Sequence, residues 1–197
     1  MSRDQILALI DAAVAAIRAN AEELTRLDQA IGDGDHGSNM TRGFQAIGAQ
    51  REALAAMEPG DALQKAGMVL VTTVGGASGP LYGSLLMGIG KGLKAGKGPA
   101  EAFAEGVDSV KKRGKSDVGA KTMLDVLVPV LEAFQRGATG TELRRTASES
   151  REATKPMLAT RGRASFLGER SIGHYDPGAT SSCLLIQVAC DVLEPAA

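Results

Sequence analysis

Along the opening segment, Ser2 to Gly32, apolar residues fall at three-and-four spacing: Ile6, Leu9, Ile10, Ala13, Val14 and Ile17 form one helical stripe. Ser2 and Gln5 precede it as a capping box, each side chain satisfying the other's main-chain N–H. The same period predicts helices near 39–57, 61–74, 79–95, 99–113, 121–135, 141–160 and 179–193. Gly98 followed by Pro99 reads as a stop and restart, because proline suits a first helical turn. Only VLVTTV, Val69 to Val74, competes as a strand, and its neighbours keep the helical period. The expectation is an all-α chain of about eight helices in a single domain over residues 1–197.

Composition narrows the function without naming it. Hydrophobic residues at 44% against 23% charged are the balance of a globular core. A net charge of -1 gives no bulk attraction for nucleic acid or anionic lipid, and 3% aromatics without Trp provide no base-stacking platform. Glycine and charge interrupt every apolar run before it could span a bilayer, and the first residues do not resemble a signal peptide. Cys183 and Cys190 lie seven residues apart on a helical segment. Two helical turns separate them by roughly 10 Å, too far for a disulfide. They read as buried thiols of a reduced, cytoplasmic protein.

The 25 glycines concentrate in the loops IGDGDHGSN, GGASGPLYG, RGKSDVGAKT and LGERSIGHYDPGAT. Loops of this kind are shaped for close backbone approach. The glycine and lysine of KGLKAGKG read instead as a helix end, since a P-loop needs strand-loop-helix context.

The chemically sharpest segment contains Asp28, Asp33 and Asp35, followed by His36 and Gly37. Three carboxylates within eight residues repel one another unless a cation compensates. Hard oxygen ligands suit Mg²⁺ or Ca²⁺. An EF-hand is excluded: counted from Asp33, its sixth position is Ser38 and its twelfth Phe44. Ser38 and Asn39 read as N-cap residues of the next helix, whose free N–H groups would then face the same anion as the metal. Metal, carboxylates and helix start together suggest a polyphosphate site; the plainer alternative is a surface Asp/Gly turn. His36 and His174 carry no orienting partner in sequence and fit either an exposed or a phosphate-side role. Ser78, in the second loop, and Arg163, in the last, become candidates for phosphate beside such a metal loop. Asp176-Pro177-Gly178 reads as a rigid turn before the final helix.

LDQAIGDGDHGSN, GGASGPLYG, RGKSDVGAKTMLDVLVPV and GRASFLGERSIGHYDPGATS, in this order, resemble the signature segments of the L-subunit family of dihydroxyacetone kinases, which carries the Dak2-type nucleotide domain. The resemblance implies an antiparallel eight-helix barrel with ADP or ATP at one end on two magnesium ions. It implies Asp28, Asp33 and Asp35 as the magnesium ligands. It implies His36, Gly37, Ser38 and Asn39 on the phosphates, with Ala77 and Ser78 from the second loop. Gly114, Thr122 and Met123 would lie around the base, and Arg163, Asp176, Pro177 and Gly178 in a closing loop. The family varies at the position of Ser38, so the resemblance does not assign its side chain.

In this family a separate K subunit holds the ketone through a covalent bond to a histidine, and the L pattern leaves no room for one here. The resemblance thus implies a kinase active only with a K partner, in a form compatible with a homodimer. Its donor is either free ATP or a phosphoprotein of the phosphotransferase system. Other readings are a kinase subunit for erythrulose or a sugar alcohol, a domain like that of a longer fatty-acid kinase, and a nucleotide-bound regulator contacting a transcription factor.

Overall fold

A computed structural model describes residues 1–194; the last three residues of the expected domain, 195–197, lie outside it. Among the described residues the chain is all-helical, with ten α-helices and one 3₁₀ segment. They gather into two compact units, 1–15 with 39–115 and 16–38 with 116 onward. No helix is long and apolar enough to cross a membrane.

The first unit holds most of α1 (Arg3–Ala19), most of α3 (His36–Gly48), α4 (Arg51–Ala55), α5 (Pro59–Thr73), α6 (Ser78–Lys94) and α7 (Pro99–Gly114). The Ser2–Gln5 capping box forms as expected, at 2.8 and 3.2 Å. Val69 to Thr73 is helix, so the one strand candidate is excluded. The centre of the unit is α6, packed between α5 and α7. Glycine permits this closeness. A methyl on Gly88 would lie 2.7 Å from the Glu105 carbonyl oxygen and from Gly106 Cα, and one on Gly106 would lie 2.8 Å from the Leu85 carbonyl oxygen.

The second unit is built from α2 (Ala21–Ile31), α8 (Leu124–Gln135), α9 (Gly140–Ala153), the 3₁₀ segment η1 (Arg163–Ser171) and α10 (Pro177–Leu193). Helix α10 packs on α8, α9 and α2, and α2 also touches η1. Leu24, Leu27, Val126, Leu127, Ala147 and Ala179 are buried there. A capping box between Thr139 and Glu142 starts α9, and Asp176 caps α10. Both cysteines of α10 are unbonded and buried, and burial raises both thiol pKa values.

Four boundaries depart from the periodicity. The opening run breaks at Asn20 into α1 and α2, and the 39–57 run breaks at Gln50 into α3 and α4. Helix α8 starts at Leu124, because Lys121 adopts the left-handed region at φ 61°. Helix α9 ends at Ala153, and η1 occupies a stretch read as plain loop.

Gly106→Ala tests the close α6–α7 approach. Alanine is the better helix former by about 1 kcal/mol, yet overpacking against fixed backbone costs about 1–3 kcal/mol. The variant should therefore unfold at lower urea than the parent; a higher midpoint would mean that the helices separate freely.

Candidate metal and anion site

The site of the second unit grows from the end of α2. Asp28 is buried on its last turn, and its Oδ2 accepts the main-chain N–H groups of Asp35 at 2.8 Å and His36 at 3.1 Å. The other oxygen faces Gly32, where a Cβ would come within 2.0 Å of Oδ1. Gly34 turns the loop at φ 74°. Gly37 lets α3 pass α2, since a Cβ there would meet the Ala21 carbonyl oxygen at 2.0 Å. The result is a hairpin of backbone around one carboxylate.

This wrapping brings one carboxylate oxygen each from Asp28, Asp33 and Asp35 within 4.8 Å of one another. Asp28 is buried, while Asp33 and Asp35 open to solvent. Hard oxygens, close together and partly solvated, fit a divalent cation that keeps water or phosphate ligands. From η1, Arg163 brings Nε to 2.9 Å of Asp33 Oδ2. Arg163 is otherwise largely exposed, so the outer edge of its guanidinium faces solvent.

The expected helix start is corrected here. Helix α3 begins at His36, so Ser38 and Asn39 lie inside its first turn and do not cap it. The reason is Asp28, which takes the Asp35 and His36 N–H groups from outside the helix. Ser38 Oγ instead donates to the Asp35 carbonyl at 2.9 Å.

His36 is buried, its Nε2 2.9 Å from Ser181 Oγ on α10. Ser181 Oγ also lies 3.1 Å from the carbonyl oxygens of Pro177 and Gly178, so this hydroxyl ties His36 to the first turn of α10. Burial lowers the His36 pKa against the opposing pull of Asp28 and Asp35, which favours the neutral ring. His174 is exposed and plays no part in this arrangement.

Behind the carboxylates, Asp125 Oδ1 accepts Gly119 N–H at 2.6 Å and Oδ2 accepts Thr122 N–H at 2.7 Å, which shapes the turn before α8. Met123, at the start of α8, is buried, and a Cβ on Gly178 would lie 3.5 Å from it. Asp176 is buried, and its Oδ2 accepts Ala179 N–H at 2.6 Å. Pro177 and Gly178 form the first turn of α10.

In the first unit, Asn39 is 2% exposed and its Nδ2 has no hydrogen-bond partner. Arg42 donates to its Oδ1, so the amide must present Nδ2 on the other side. Gly75 lies against that amide, 3.6 Å from Oδ1 to an added Cβ. Ala77 and Ser78 open α6, and Gly114 ends α7 before left-handed Lys115.

A family profile described as the DAK2 domain matches residues 30–191. The chain belongs to the DAK2 domain family. It is 44% identical over 176 residues to the ADP-binding subunit DhaL of PEP-dependent dihydroxyacetone kinase 1 of Listeria innocua, covering 86% of each chain. The corresponding Escherichia coli K12 subunit is 39% identical over 201 residues, covering 95% of this chain and 96% of its own. Among solved structures, the dihydroxyacetone kinase of C. freundii in complex with AMP-PNP and Mg²⁺ shares the fold, with a TM-score of 0.79 and 22% identity. That match covers 94% of this chain but only 33% of the larger kinase chain.

Within this DAK2 domain the structure assembles Asp28, Asp33, Asp35, His36, Gly37, Arg163 and the Asp176 turn in one unit. Asn39, Ala77, Ser78 and Gly114 belong to the other. Sequence reasoning passed over Asp125, Lys121 and Ser181. Asp125 lies inside the apolar run MLDVLVPV and Lys121 two residues before it, while Ser181 sits in the small-residue start of α10; each is buried. A charge on the buried side of a predicted helix was the available signal.

Asp176 generates a pH prediction. Burial pushes its carboxyl up from 3.8 to about 7, with Asp125 and Asp28 adding to the rise and Ala179 N–H and Lys121 opposing it. The folded pKa lies above the unfolded one, so this group's stabilisation is complete below about pH 4 and lost as pH rises through about 7. Asp176→Asn keeps the acceptor for Ala179. It should flatten the fall in stability across that window, measured by urea unfolding without divalent cations; an unchanged slope would assign the dependence to other groups.

Proposed function

We propose that this chain is the nucleotide-binding subunit of a dihydroxyacetone-type kinase, one L-type domain spanning residues 1–197 in which ADP or ATP binds on two magnesium ions. The observation that carries the reading is the convergence of Asp28, Asp33 and Asp35 within 4.8 Å, with Arg163 on Asp33. The near full-length likeness to ADP-binding subunits supports it. In this reading α1 with α2, and α3 with α4, each count as one interrupted helix, being separated only by one- and two-residue breaks.

Asp28, Asp33 and Asp35 would hold the magnesium, which when bound neutralises charge on the phosphates. Asn39 offers its unpartnered Nδ2 as a donor to a phosphate oxygen, beside the glycine loop that leads to Ala77 and Ser78. Gly37 and Ser38 continue the phosphate-side backbone from His36, whose neutral ring adds no competing charge. Arg163 turns the open edge of its guanidinium to the phosphate, where two N–H groups can engage two oxygens. Gly114, Thr122 and Met123 form the base side, and Asp176, Pro177 and Gly178 close it.

Transfer joins a ketose hydroxyl oxygen to the terminal phosphorus while the bond from that phosphorus to the nucleotide breaks and the hydroxyl proton is released. These residues supply position and charge compensation, which is most of what phosphoryl transfer requires. The ketose would be held by a separate K subunit. The relatives are PEP-dependent by name, which favours a retained ADP recharged from a phosphotransferase-system phosphoprotein. Mass spectrometry of the nucleotide that co-purifies with the chain tests this: ADP is expected, and a nucleotide-free protein that turns over ATP would reverse it.

Asp33→Asn and Asp35→Asn should each weaken magnesium-dependent ADP binding at least ten-fold, about 1.4 kcal/mol. They should also abolish the rise in melting temperature that ADP gives the parent, while leaving the ligand-free melt nearly unchanged. Parent-like ADP binding by both variants would remove the metal role.

The isolated chain, given magnesium, a phosphodonor and dihydroxyacetone, should phosphorylate no ketose until a K-type subunit is added, because an unpositioned acceptor reacts negligibly. Ketose phosphate formed by the chain alone would overturn the two-subunit reading.

A further inference from the structure

Arg163 sits on a segment with little to hold it. From Thr154 to Asp176 the chain has no α-helix, and η1 is interrupted at Gly168, whose φ is 56°. Its apolar anchor is small: Ala159 and Ala164 meet Ile31, with Leu167 packed alongside. Phe166 is 87% exposed and contributes nothing to that anchor.

What holds the segment is polar, and its hub is Lys121. The residue is 1% exposed, and its Nζ donates to the carbonyls of Ser171 at 2.5 Å, Met157 at 3.0 Å and Lys155 at 3.5 Å. An ammonium has three protons, and these three acceptors use them all. Two acceptors precede Arg163 in the chain and one follows it, so the ammonium draws together both ends of the span that bears the guanidinium. Neighbouring bonds follow the same pattern. Thr160 N–H reaches the Ala120 carbonyl at 3.2 Å, Gly173 N–H reaches the Lys155 carbonyl at 2.8 Å, and Ala159 N–H reaches Ser171 Oγ at 3.0 Å. The left-handed backbone of Lys121 aims its side chain into this ring of carbonyls, a conformation that a non-glycine residue adopts only under tertiary constraint.

We infer that Lys121 is a positioning residue for nucleotide binding: its ammonium gathers the carbonyls on both sides of Arg163 and so sets the guanidinium at the carboxylate site. Lys121 touches none of the three aspartates and acts only through the loop. The inference rests on the proposed phosphate role of Arg163, and the test separates the two.

The experiment is a double-mutant cycle on ADP binding to the full chain in excess magnesium, with Lys121→Met, Arg163→Ala and the double variant. Each single variant should lose at least ten-fold in affinity, and the double should lose no more than the weaker single, because both remove one placed guanidinium. Losses that multiply in the double variant overturn the inference. Arg163→Ala with parent affinity overturns the phosphate role itself, and with it this inference. Hydrogen exchange supplies the second measurement, and Lys121→Arg serves if the methionine variant does not fold, since a planar fork cannot serve three carbonyls set around a tetrahedral ammonium. In either variant the amides of 155–173 should exchange faster while those of 59–114 keep parent rates. Uniformly faster exchange across the chain would make Lys121 a general stabiliser and overturn its positioning role.

Discussion

A carboxylate that must accept two main-chain N–H groups on one oxygen, with backbone pressed against the other, leaves its surroundings few choices. Asp28 is in that position. Its Oδ2 gathers the amides of Asp35 and His36, and only a residue without a side chain fits beside Oδ1 at Gly32. From this follow the end of α2, the tight loop, the first residue of α3 and the convergence of Asp33 and Asp35. Three negative groups are thereby held at distances they would not choose, with Arg163 as the one cation paired to them among the described residues. The loop's shape and its appetite for positive charge have one origin.

How much of this was legible in the sequence depended on the range of the interaction involved. The acidic cluster is local, eight residues from end to end, and its chemistry could be read directly. The helices were legible as a class because apolar spacing is local too. Boundaries failed where a distant group decided them. The periodic pattern carries α9 on to Thr160, but the carbonyls of Lys155 and Met157 turn to the Lys121 ammonium, 34 and 36 residues away in sequence. The pattern likewise starts a helix at Lys121, whose role as hub of those carbonyls takes it out of the helical region. Ser38 and Asn39 look like caps because nothing nearby reveals that Asp28, a turn back in α2, has already taken the amides.

The two units achieve order by different means. In the second, polar groups do much of the fixing: buried Asp125, Asp176 and Lys121 each bind main-chain groups, and the loops they shape carry the candidate site. In the first, order comes from backbone lying on backbone, with α6 pressed against α5 and α7 through its glycines.

That second strategy bears on how the unit folds. Helix α6 holds five glycines in its 17 residues, SGPLYGSLLMGIGKGLK, each costing about 1 kcal/mol of helical preference relative to alanine. A segment so composed has no helical life of its own in the unfolded chain, where even good helix formers of this length are marginal. Its helix can appear only as α5 and α7 close around it. Secondary and tertiary structure in this unit are therefore one event, and a rate-limiting step that forms α6 must already contain its neighbours.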